Sequence, residues 1–181
     1  MKEKTFQSEW GHSIRVAFPE AFYTKIPDAP YSPNIIKRPI EKPFDCFCVK
    51  DNIFYAFELK MHSKDTAFPF SNVKPHQKEA LLKITDNGFP AYILINIRTK
   101  VSDKIKAQFS LDKCTIIYVY CISISDYIEM EAESSRKSIP FQFFIDEMNG
   151  ERSIGRIRLP DNTLGWDVGK ILWKSRALEK L

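Results

Sequence analysis

Apolar residues at positions 6, 10, 14 and 18, with Ala17 beside them, form one stripe through the start of the chain. That spacing predicts an amphipathic helix over 5–18, which Pro19 ends. The pattern then changes period. Residues 44–49 (FDCFCV) and 53–60 (IFYAFELK) are rich in aromatic and β-branched side chains, and Lys50-Asp51-Asn52 between them is turn chemistry, so the stretch predicts a hairpin. With Asp51-Asn52 as the loop, Lys50 faces Ile53, Val49 faces Phe54, Phe47 faces Ala56, and Asp45 faces Glu58. Alternation sends Glu58 and Lys60 to one side of the strand and Phe57 and Leu59 to the other.

Residues 61–74 read as a polar loop broken by Phe68-Pro69-Phe70. Pro75 suits a first helical position, Ala80, Leu81 and Ile84 make a stripe, and Gly88 is a stop signal, so His76 and Gln77 fall in the first turn of a helix. Residues 91–97 and 114–122 are almost continuously apolar, as central strands covered on both faces are. The intervening helix makes a crossover. The predicted fold is α/β, a mixed β-sheet flanked by helices in a single domain. Residues 22–43 contain five prolines from Pro27 on and predict an extended excursion. Beyond Ser123 the expectations are a short helix over 126–133, an apolar segment over 138–145 and an edge strand over 153–159. A terminal helix over 168–178 completes the chain, with Lys170, Lys174, Arg176 and Lys180 making a basic end.

With 181 residues, 44% hydrophobic and 28% charged, the chain has the size and composition of one globular domain. No run approaches the ~18–20 apolar residues of a membrane span, and the N-terminus lacks the apolar core of a signal peptide, so an intracellular, cytoplasmic protein with no membrane partner is expected. None of the four cysteines has C-x-x-C spacing, which assigns them to the core. The net charge of +4 permits an anionic partner without demanding one.

The hairpin register carries the chemistry. Two carboxylates facing each other repel, and either a hard divalent cation between them or neutralisation by Lys60 at a solvated sheet end would relieve this. Glu9 and His12 lie off the helix stripe and read as solvated or functional. Tyr31, Lys37, Arg38 and Lys42 in the proline-rich stretch suit either a plain surface loop or a grip on a sugar-phosphate chain. His76 and Gln77 sit where free backbone N–H groups meet anions.

The D-x₁₂-E-x-K pattern of Asp45, Glu58 and Lys60 resembles the PD-(D/E)xK nuclease signature. The segment TAFPFSNVKPHQKEAL, 66–81, resembles the stretch C-terminal to the E-x-K in RecU-type Holliday junction resolvases, where an F-P pair precedes a helix opening with H-Q. The strand after that helix and SIP at 138–140 resemble the family as well. Pro43 stands one residue before the usual place, with Phe44 preceding the aspartate, and the prolines of 27–43 occupy the place of the family's protruding stalk.

The resemblance implies a restriction-endonuclease-like fold and a Mg²⁺-dependent endonuclease, with Mn²⁺ as the alternative ion, acting as a homodimer on four-way DNA junctions. It implies Asp45, Glu58 and the Leu59 carbonyl as metal ligands, Lys60 as the group that positions or activates water, Gln77 lining the site and Glu9 as the first-helix acid. The expected DNA contacts are Lys37, Arg38, Lys42, Lys64, Thr66, Lys74 and His76. Another nuclease of the same superfamily, of repair, nicking or restriction type, and a non-catalytic DNA-binding protein are the alternatives.

Overall fold

The computed structural model describes residues 3–28, 41–112 and 115–172. Its elements run α1 (Glu3–Ala17), β1 (Phe22–Lys25), β2 (Cys46–Lys50), β3 (Ile53–His62), β4 (Phe68–Pro69), α2 (Pro75–Asp86), β5 (Ala91–Lys100) and α3 (Asp103–Phe109). They continue as β6 (Thr115–Ser123), α4 (Ile124–Glu133), β7 (Ser138–Ile139), α5 (Phe141–Asp146), β8 (Ser153–Ile154), β9 (Arg156–Arg158), β10 (Leu164–Trp166) and α6 (Gly169–Leu172). Six strands form one mixed sheet in the order β1-β2-β3-β5-β6-β8. The β2–β3 hairpin has the predicted register, Lys50 opposite Ile53 through Phe47 opposite Ala56, and Asp51 and Asn52 turn the chain with φ of 50° and 63°. Those left-handed values are what a two-residue hairpin turn with right-handed strand twist requires.

The strand β3 runs parallel to β5 through the α2 crossover, and β5 pairs antiparallel with β6. Alternation along β5 splits its side chains between two layers. Ile93, Ile95 and Ile97 join Leu81 of α2, Tyr127 of α4 and Phe144 of α5. Leu94 joins Phe57, Leu59, Val119 and the α1 stripe of Phe6, Trp10 and Ile14. The ring of Trp10 meets that of Phe57 edge-on at 5.8 Å, which fixes the rotation of α1 over the sheet. Gly11 lets α1 lie close to β1, because a methyl group there would fall 2.5 Å from a ring carbon of Tyr23.

Several segments differ from the pattern-based expectation. The 61–74 loop is partly regular: β3 continues to His62, and Phe68–Pro69 pairs with Ser138–Ile139, because Phe68 and Phe70 are buried and draw the chain inward. Residues 138–145 accordingly divide into β7 and α5. The expected edge strand over 153–159 breaks at Gly155: β8 stays on β6, while β9 leaves to pair with β10. Residues 22–25 precede the prolines and form an edge strand, and α3 buries no side chain, so it left no periodic signal. The proline-rich residues 29–40, Cys114 and the C-terminal residues 173–181 lie outside the described residues, and with them most of the expected basic helix. Among the described residues Cys46 and Cys48 are buried free thiols, and no helix is long and apolar enough to cross a membrane.

Candidate metal centre

Strand β2 is shorter than its partner, so beyond Phe57 one edge of β3 has no neighbouring strand among the described residues. Asp45 sits at that point and turns off the ladder. Its N–H donates to the Phe57 carbonyl at 3.1 Å, and its own carbonyl accepts from Ile26 at 2.9 Å. Its carboxylate Oδ2 accepts the N–H of Leu59 at 2.9 Å. A strand residue's N–H and C=O point to the same edge. The Ala56 N–H bonds to Pro90 on the β5 side, so Leu59, three residues on, directs its carbonyl to the vacated edge, beside Asp45.

Glu58 is only 1% exposed. Its Oε1 takes Lys60 Nζ at 2.7 Å and Gln77 Nε2 at 2.7 Å, whereas Oε2 is shut off from solvent and has no hydrogen-bond partner among the described residues. Burial, and next the charge of Asp45, push its carboxyl up to about 7 against the pull of Lys60. Gln77 is the third residue of α2, where its Oε1 accepts the N–H of Lys74 at 2.9 Å in the manner of a capping box. The same oxygen lies 3.3 Å from Lys60 Nζ. One amide thus couples the start of α2 to both charged groups of the E-x-K.

A third carboxylate arrives from the first turn of α1. Ligand oxygens of Glu3, Asp45 and Glu58 lie within 4.8 Å of one another. Glu3 is the most exposed of the three, and burial raises its carboxyl, with Lys60 opposing. One turn on, Gln7 Nε2 donates to Asp45 Oδ1 at 3.0 Å. Lys42 Nζ reaches the same oxygen at 2.6 Å and Asp28 at 3.2 Å. These groups, with Lys4 and Lys25, line a cavity of about 390 Å³ that holds four carboxylates and four ammonium groups. Converging carboxylate oxygens with one buried atom unsatisfied suit a hard ion such as Mg²⁺ or Mn²⁺. A buried acceptor without a partner costs about 1–3 kcal/mol, and a bound cation would remove that cost. A larger cavity of about 560 Å³ lies elsewhere, beside Tyr92, but its Arg152 already bridges Asp126 at 3.2 Å and Glu147 at 3.4 Å.

Asp45, Glu58, Leu59, Lys60 and Gln77 therefore come together as expected from the sequence, and Lys42 joins them. Glu9 does not. Its carboxylate bonds to Arg98 Nη1 at 3.2 Å and Arg156 Nη2 at 3.4 Å. Six residues are about 240° around a helix, so Glu9 and Glu3 point to different sides of α1. Sequence reasoning misses Glu3 and Gln7, although a signal exists: Glu3 lies three residues before Phe6 and seven before Trp10, so it extends the buried stripe by one turn. His12 lies apart, 3.5 Å from Asp161.

Of the remaining expected DNA contacts, Lys64, Thr66 and Lys74 are exposed on the segments leading to α2. The Thr66 carbonyl lies 2.9 Å from His62 Nε2, and His76 Nδ1 lies 3.3 Å from Glu41. Lys37 and Arg38 fall outside the described residues. No protein-family model matches this sequence, and no curated protein matches it.

Proposed function

We propose that this chain is a Mg²⁺-dependent DNA endonuclease with a restriction-endonuclease-like fold and, within that class, a Holliday junction resolvase of RecU type acting on intracellular DNA. The observation that carries the nuclease reading is the buried, unpartnered Oε2 of Glu58 beside Asp45 and Glu3. Glu3, Asp45 and Glu58, with the carbonyl of Leu59, would hold the ion. The ion supplies a more acidic bound water and positive charge against the phosphate. Lys60 orients the attacking water or offsets charge on a nonbridging oxygen, and Gln77 fixes Lys60 and Glu58 relative to each other. A metal adds two positive charges to a cavity whose carboxylates and ammonium groups otherwise balance, which favours a polyanionic substrate.

The junction preference rests on the resemblance of residues 66–81 to the resolvase segment, the same stretch that supplies Gln77. Symmetric cuts in a four-way junction require two active sites, so a homodimer is the simplest assembly. The test is cleavage of a labelled four-way junction beside linear, nicked and flap substrates, with and without Mg²⁺. Asp45→Asn and Lys60→Ala should abolish cutting while junction binding persists. Cutting by either variant would sink the site assignment. Equal affinity for linear duplex and junction at matched salt would sink the resolvase assignment.

A further inference from the structure

We propose that Lys42 is an internal competitor for the metal: its ammonium must leave Asp45 for the ion to bind, and once displaced it contacts a DNA phosphate. This rests on the metal-centre reading. Asp45 Oδ1 accepts from Gln7 Nε2 at 3.0 Å and from Lys42 Nζ at 2.6 Å, and Oδ2 accepts from Leu59 N–H at 2.9 Å. A carboxylate offers about four lone-pair sites, so these three donors leave little of Asp45 free. The three differ in what they can yield. Leu59 N–H is fixed by the strand, and Gln7 is neutral and seated on α1. Lys42 carries a full charge on a flexible stem in a segment without regular structure. An ammonium and a divalent cation against the same oxygen repel, and the ammonium is the one free to move.

The neighbouring contacts show a direction for that movement. Asp28, with a side chain 67% exposed, already holds Lys42 Nζ at 3.2 Å on the solvent side of the cavity. Lys60 has no comparable exit, because Glu58 and Gln77 hold it from two sides. Displacement of Lys42 would therefore convert an ion that blocks Asp45 into a cation at the mouth of a site that has just become positive. That is where a phosphate arriving at the metal must pass.

Two measurements test this. Mg²⁺ titration by calorimetry on the full chain, without DNA, should give an affinity for Lys42→Met about tenfold or more tighter than for the parent protein. Lys42→Gln, whose amide can still donate to Asp45 but carries no charge, should also bind more tightly, and it replaces the methionine variant if circular dichroism shows that the latter fails to fold. Equal or weaker binding by the folded variants would overturn the proposal while leaving the metal centre intact. Absence of Mg²⁺ binding in parent and variants alike would overturn the metal centre itself, and this inference with it. In the second measurement, junction binding with Ca²⁺ in place of Mg²⁺ should show a salt slope lower by about one for Lys42→Gln than for the parent, and no difference in chelator. Equal slopes with Ca²⁺ would overturn the phosphate contact.

Discussion

Replacing Glu58 by glutamine separates what the buried carboxylate does for the fold from what it does for a metal. Its carboxyl titrates at about 7 against an ordinary 4.5. At about 1.4 kcal/mol per pKa unit, that difference is about 3 kcal/mol. Proton linkage gives the sign. Below 4.5 the side chain is protonated in folded and unfolded chains alike. Between 4.5 and about 7 the unfolded chain has released its proton and the folded chain has kept it, so stability falls as pH rises through this window and levels off above it.

Glutamine mimics the protonated side chain and keeps an oxygen for Gln77, so it escapes this fall. The attraction of Lys60 is already contained in the value of about 7. In chelator near pH 8, Glu58→Gln should be more stable than the parent by about 3 kcal/mol, or roughly 6–12 °C in Tm for a domain of this size. Near about pH 4.5 the two should coincide. Added Mg²⁺ should raise the Tm of the parent and leave the variant unmoved, and the parent's Mg²⁺ affinity should weaken below about pH 7 as protons compete for Glu58. Thermal melts by circular dichroism over this pH range, with chelator or Mg²⁺, measure all of it. A variant less stable than the parent at pH 8 in chelator, or parallel pH profiles for the two proteins, would refute the reasoning.

Other substitutions separate the neighbours of the site. Glu3→Gln should weaken Mg²⁺ binding by about tenfold in calorimetry and, because burial raises this carboxyl as well, should raise rather than lower Tm in chelator near pH 8. Glu9→Gln should leave Mg²⁺ affinity unaltered but cost about 2 kcal/mol in denaturant titration, because the ion pair between Glu9 and Arg98, whose side chain is 9% exposed, is lost. Gln77→Ala should lower cleavage and also cost about 1 kcal/mol, since the same amide caps α2. Tyr127→Phe removes a 3.1 Å hydrogen bond to the Phe70 carbonyl and should cost about 1 kcal/mol with no change in Mg²⁺ affinity.

The parts of the fold that were legible in the sequence are those where local rules and tertiary packing agree. The β2–β3 register is set by a two-residue turn and a period of two, and α2 begins where Pro75 and Gln77 both require it. The register by itself therefore brings Asp45, Glu58 and Lys60 together, whereas Gln77 is placed beside them only by what the resemblance of residues 66–81 implies. Choosing between Glu3 and Glu9 was a different problem. Both are acids on one helix, and which of them reaches the cavity depends on how α1 is rotated over the sheet, set by the contact of Trp10 with Phe57. Extending the apolar stripe back one turn would have selected Glu3. The pairing of Lys42 with Asp45 had no local signature, because Lys42 ends a proline-rich stretch where neither period applies. The two-residue strands β4 and β7 depend on each other across some seventy positions of chain, beyond the reach of any short pattern.

The turn at Asp51 and Asn52 lies at the opposite end of the hairpin from the carboxylates, yet it acts as their ruler. Counting back from it sets Cys46 opposite Phe57, and so leaves Asp45 at the end of the ladder, between Phe57 and Leu59 and beside Glu58. One residue added or removed there would slip the pairing by one, exchange the faces of the β2 side chains and take Asp45 from its place beside Glu58. Asn-Gly in place of Asp-Asn would keep the same backbone shape and do no harm. In descent from a common ancestor, this stretch should therefore change its letters freely and its length hardly at all, and a hairpin of constant span with a drifting turn would be the trace by which distant relatives of this chain could be recognised.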